Sequence, residues 1–202
     1  MPSPKKKKNR QTSVDSDEQI AFADAAAFDQ WLAANHASCP GVWLRIAKKG
    51  SGKKTVSYQE AIDVALTWGW IDALKRPLDH AEWLQRFTPR GSRSPWSKIN
   101  CQKAEALIAA RRMKPSGLAE VERARKDGRW EKAYEGQSKA ELPADFAEAL
   151  AKNKKAAAFY ATLNSANRYA IIYRLHSAKK PETRQKRFDT FLAMLARGEK
   201  LH

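Results

Sequence analysis

This sequence predicts an α+β fold, a small N-terminal α+β domain followed by a C-terminal helical bundle, and three observations lead there. Two short runs rich in β-formers, Gly41–Lys48 and Glu82–Phe87, are flanked by stretches whose apolar residues recur every three or four positions. Strand-like runs stop before residue 90, and from Pro143 onward the pattern is helical throughout. Between them Arg129–Glu141 is polar and irregular. The expected organisation is a disordered basic arm over 1–18, an α+β domain over 19–130, a linker over 131–142 and a helical domain over 143–202.

The arm is polar, with Lys5, Lys6, Lys7 and Lys8 in one block. After the short apolar stretch Ile20–Phe22, Asp24 is placed to cap a helix whose inner face holds Phe28, Trp31 and Leu32. The Gly41–Lys48 strand ends at the Gly50-Ser51-Gly52 loop. Ser57-Tyr58-Gln59-Glu60 reads as a capping box, opening a helix with Ala61, Ile62, Ala65 and Leu66 inward and a stop at Gly69. Trp70-Ile71-Asp72 follows a tight turn, and Glu82–Phe87 forms the second strand.

Thr88–Trp96 reads as a turn-rich loop, after which Ser94 or Ser97 caps a helix facing the core with Ile99, Ala106, Leu107 and Ala110. Pro115-Ser116-Gly117 is expected to break it, with another short helix from Leu118 to Lys126 stopping at Gly128. In the last third, Pro143 suits a first helical position ahead of Phe146 and Leu150, with a break near Asn153. Ser165 is expected to cap a helix carrying Tyr169, Ile172 and Tyr173, and Pro181 to open the final one, closed by Gly198.

Charge is the strongest compositional signal: 38 Lys and Arg against 22 Asp and Glu give +16. The excess is not confined to the arm, since residues 143–202 carry twelve basic side chains against five acidic. Such a field attracts polyanions and opposes direct capture of cationic ones. An apolar fraction of 43% with seven tryptophans supplies a core. No apolar run reaches membrane-spanning length and no secretion signal is recognisable, so a cytoplasmic setting without membrane insertion is expected. Cys39 and Cys101 read as reduced thiols.

The four histidines have no metal-ligand spacing, and neither a nucleophile elbow nor a kinase signature is present, so no metal, cofactor or enzymatic reaction is suggested. Arg86, Arg90, Ser94, Trp96 and Ser97 instead suggest an anion site: cations and hydroxyls near a helix start, with a flat apolar wall. Asp72 adds a carboxylate needing a partner, for which Lys75 or Arg86 is available. An alternative is nucleic-acid binding by Lys5–Lys8 together with Lys179, Lys180, Arg184 and Arg187 around the His176–Lys180 turn.

Trp70-Ile71-Asp72 after Gly69, Arg86–Arg90 and Ser94-Pro95-Trp96-Ser97 with Asn100 resemble the YdeI/OmpD-associated family of bacterial proteins. Ala178–Arg184 with Arg187 resembles that family's C-terminal helical domain, often labelled bacteriocin-protection. The resemblance implies a stress or bacteriocin-tolerance role and carries no catalytic residue with it. A small anionic ligand is the expected partner, and a direct porin contact is not expected.

Overall fold

The computed structural model describes residues 18–136 and 139–201, so the Lys5–Lys8 block lies outside the described residues. Two compact units divide the chain. The first runs to Ser94 and resumes over Gln102–Trp130; the second takes Pro95–Cys101 and the chain from Glu131 onward.

The first unit is built on a four-stranded sheet of β1 (Gln19–Ile20), β2 (Val42–Ala47), β3 (Trp70–Pro77) and β4 (Glu82–Pro89), in the order β1-β2-β4-β3. β1 runs parallel to β2, while β4 is antiparallel to both neighbours. Two capped helices cover one face. Asp24 accepts from the Ala27 amide at 2.9 Å and starts α1 (Ala25–Asn35). Ser57 and Glu60 exchange both capping-box bonds and start α2 (Tyr58–Thr67). Phe28 and Leu32 of α1 and Ala61 and Ala65 of α2 are buried with Leu44 and Phe87 of the sheet. Removing each large apolar side chain from water contributes roughly 1.5–3 kcal/mol.

β3 is a strand the sequence does not predict, where only a tight turn ahead of Trp70-Ile71-Asp72 is expected. Gly69, at φ +77°, reverses the chain after α2, and the strand then continues to Pro77. Its later residues are exposed because β3 is an outer strand, so the alternation that marks a half-buried strand is missing. β4 runs two residues further than expected, to Pro89.

Two other expectations about this unit's helices are corrected. In α3 (Lys98–Ala109) the buried positions are Cys101, Ala104 and Leu107, whereas Ile99 is 46% exposed and Ala106 and Ala110 face outward. Pro115-Ser116-Gly117 opens a helix rather than breaking one: Pro115 is the first residue of α4 (Pro115–Lys126), where its missing N–H is not needed. A Cβ on Gly117 would sit 2.3 Å from the Thr67 carbonyl oxygen, so glycine here allows α4 to approach the end of α2 backbone to backbone.

The second unit contains α5 (Ala144–Lys152), α6 (Lys154–Thr162), α7 (Ser165–His176) and α8 (Pro181–Ala196). Phe146, Leu150, Ile171, Leu175, Phe191 and Leu195 form its core. Pro143 is the N-cap rather than the first helical residue, and Asn164, not Ser165, caps α7 by accepting from the Asn167 amide at 2.9 Å. Asn153 both ends α5 and caps α6.

Candidate functional site

Strand pairing gathers basic side chains at one end of the first unit. Ile46 pairs with Trp83, Ala47 with Glu82, and Pro77 with Trp83 from the other side. Lys48 continues the pattern, its amide donating to the Ala81 carbonyl at 2.7 Å. The result is an open cleft of about 590 Å³ lined by Ala47, Lys48, Lys49, Lys75, Pro77 and Trp83. No acidic side chain lines it. The Lys75 Nζ stands 4.1 Å from the Trp83 ring centre, a cation–π arrangement that holds the ammonium over an apolar floor. Lys48 Nζ donates to the Asp79 carbonyl at 2.7 Å, which fixes the second ammonium at the rim.

Nearby charges leave this cationic character in place. Glu82 is 1% exposed, and its Oε2 lies 2.5 Å from both Arg45 Nη2 and Lys53 Nζ. The hydrogen bonds from Arg45 and then Lys53 hold its carboxyl below the usual glutamate value despite desolvation. Glu82 is thereby matched to Arg45 and Lys53. Asp72 accepts from the Tyr58 hydroxyl at 2.7 Å, and the Tyr58 ring meets Trp83 edge-on at 5.6 Å. That tyrosine, rather than Lys75, supplies the partner the Asp72 carboxylate needs.

The other sheet face carries a second cation–aromatic group. Residues 43 and 46 of β2 point to opposite faces, so Trp43 and the Trp83 that pairs with Ile46 lie on opposite sides. Arg76 sits 4.7 Å and Arg86 5.7 Å from the Trp43 ring centre.

The residues singled out from sequence are distributed between the units. Arg86, Arg90, Ser94, Asp72 and Lys75 belong to the first, Trp96 and Ser97 to the second. Arg90 is 4% exposed; its amide donates to the Gly69 carbonyl at 3.0 Å and its carbonyl accepts from Arg123 at 3.3 Å. Ser94 closes a turn by accepting from the Gly91 amide at 3.0 Å, and its carbonyl accepts from Arg129 at 2.9 Å. In the second unit Trp96 is 1% exposed, and Ser97 caps α3 through the Asn100 amide at 3.2 Å while bridging to Tyr134. Lys48, Lys49 and Trp83 were not singled out from sequence. The signal available was a lysine pair at the end of a strand, which acquires meaning only once the strand order is known.

The C-terminal cations are partly committed within their own unit. Arg184 makes a two-pronged contact with Asp145 at 2.6 and 2.9 Å, and its hydrogen bonds lower the Asp145 carboxyl below the usual aspartate value. Arg187 donates to the Arg174 carbonyl at 2.6 Å, while Lys179 and Lys180 are exposed at the α7–α8 turn. Among the described residues no group of three or more His, Cys, Asp or Glu could hold a metal ion, and no helix is long and apolar enough to cross a membrane.

No curated protein and no solved structure matches the chain. Two family models do. One, described as a domain of unknown function (DUF8412), matches residues 20–120, half of the chain and most of the first unit. The other, OmdA, described as bacteriocin-protection, YdeI or OmpD-associated, matches residues 139–198 and so covers α5 to α8. The earlier N-terminal motifs fall within the first match and Ala178–Arg187 within the second. The chain thus belongs to the DUF8412 family through its sheet-bearing part, and its C-terminal helices, residues 139–198, match the OmdA, YdeI/OmpD-associated, family model.

Proposed function

We propose that the protein is a non-enzymatic, bacteriocin-protection-type binding protein whose first unit takes an anionic group. The observation supporting this is the cleft lined by Lys48, Lys49 and Lys75, with the Lys75 ammonium over Trp83 and no acidic residue in the lining. At about 4 Å an ammonium–carboxylate contact is worth roughly 1 kcal/mol in water and about 4 kcal/mol where the effective dielectric is near 20. Three ammonium groups around an apolar floor therefore favour a compact polyanion. The cleft is a better candidate than the Arg86–Trp96 loop, because Ser94 and Ser97 already serve a turn and a helix cap. A net charge of +16 disfavours sequestering a cationic peptide directly, so protection proceeds by an indirect route.

Citrate is the probe for the test, followed by calorimetry and by amide chemical shifts at low and physiological salt. Saturable binding that shifts residues 47–49, 75 and 83 is expected, weakened about tenfold or more by Lys48→Ala with Lys75→Ala. Binding unaffected by that pair of substitutions sinks the assignment. The alternative reading is nucleic-acid binding, supported by the exposed Lys179 and Lys180. It requires duplex DNA to bind at physiological salt and to release on Lys179→Ala with Lys180→Ala, with a shallower salt dependence in the variant.

A further inference from the structure

β3 is the outer strand of the sheet: β4 pairs along one edge, and among the described residues no backbone pairs along the other. Exposed edges are commonly blunted by lysines, prolines and bulges. This one has a register shift between Asp72 and Lys75 and ends at Pro77, yet Leu74 is 53% exposed, as Leu78 just beyond it is by 39%. The two adjacent cations Lys75 and Arg76 reach opposite faces, Lys75 to Trp83 and Arg76 to Trp43. A strand added beside β3 alternates its own side chains between those faces. It therefore presents one residue of any adjacent pair on the face that carries Lys75 and the other on the face that carries Arg76.

Charge decides what such a strand must be. A second copy offering its own β3 would set Lys75 and Arg76 beside like charges, which is unfavourable between neighbouring strands. An acidic segment matches both faces at once. We propose that the free edge of β3 takes an extended acidic polypeptide segment as a fifth strand, held by main-chain hydrogen bonds, by two consecutive carboxylates directed to Lys75 and Arg76, and by an apolar side chain against Leu74. Main-chain pairing supplies affinity and the acidic doublet supplies selectivity. This deepens the anion-binding reading above and rests on it.

Fluorescence anisotropy with labelled ten-residue peptides tests it on the full chain. The parent peptide carries a central Glu-Glu among alternating valines and threonines. One variant separates the glutamates by a residue, and another is N-methylated at alternate amides in either register. The parent is expected to bind, and N-methylation in one register, which removes several main-chain hydrogen bonds, weakens it tenfold or more. Separating the glutamates and Arg76→Ala also weaken the peptide, while Arg76→Ala leaves citrate binding unchanged; circular dichroism confirms that the variant is folded. N-methylated peptides binding as well as the parent, or a peptide no tighter than citrate, overturns the added strand and leaves the anion cleft standing. Failure of citrate and peptide alike overturns both. Self-association of the chain that Leu74→Lys abolishes, seen by sedimentation, assigns the edge to a second copy and overturns the acidic partner.

Discussion

Glu82 and Arg45 meet at 2.5 Å between β2 and β4, with the carboxylate 1% exposed and Lys53 on the same oxygen. A buried carboxylate is tolerated only when paired, so the three residues act as one unit. Glu82→Gln is expected to cost about 1–3 kcal/mol, because both cations keep access to water but lose a charged acceptor. Urea denaturation measures it.

The same carboxyl gives a signed pH dependence. Its folded value lies below the ordinary one, so the unfolded chain takes up the proton first as pH falls. The stabilisation is complete at neutral pH and is lost between the ordinary glutamate value and the lower folded one. Urea midpoints recorded across the acid range should fall less steeply in Glu82→Gln than in the parent; equal slopes would contradict the assignment.

Gly117→Ala tests the close approach of α4 to α2. The added methyl meets backbone, a carbonyl oxygen 2.3 Å away, and cannot be relieved by a side-chain rotation. A loss of about 1–3 kcal/mol or more is expected, although alanine is the better helix former at an unconstrained site. A thermal melt showing stabilisation would mean that the helices are free to separate.

Phe146→Ala probes the second unit. The ring is fully buried and stands edge-on to Phe188 at 5.0 Å. Truncating it should cost about 3–5 kcal/mol. Arg184→Ala, by contrast, should cost about 0.2–1 kcal/mol, since Arg184 and Asp145 are 34% and 49% exposed and water replaces much of the contact. Denaturant unfolding of the two variants should separate them clearly.

The sequence was most readable where a residue acts on its own neighbourhood. Asp24 and the Ser57–Glu60 pair announce their helices because a cap and its target amide lie three residues apart. Gly69 and Gly198 mark stops for the same reason: both adopt positive φ. β3 is not legible as a strand, since Ala73–Pro77 occupies an edge where neither face demands an apolar residue. Ile99 misled because it fits a helical stripe yet lies outside it. The lysine cleft was the least readable feature. Lys48 and Lys75 are 27 positions apart, and only the order β2-β4-β3 makes both of them neighbours of Trp83.

The chain enters the second unit at Pro95, leaves it after Cys101 and returns at Glu131. Within that unit the amide of Tyr134 donates to the Trp96 carbonyl at 3.0 Å, and the Lys98 amide donates to the Tyr134 carbonyl at 2.9 Å. The OmdA match begins at residue 139, beyond this pairing. A genetic exchange with one breakpoint between residues 102 and 130 would transmit α5 to α8 but strand the short segment that Tyr134 binds. Moved that way, the helices arrive without the stretch with which Tyr134 pairs. That segment lies within the residues matched by the DUF8412 model, so the second unit draws on sequence from both family matches.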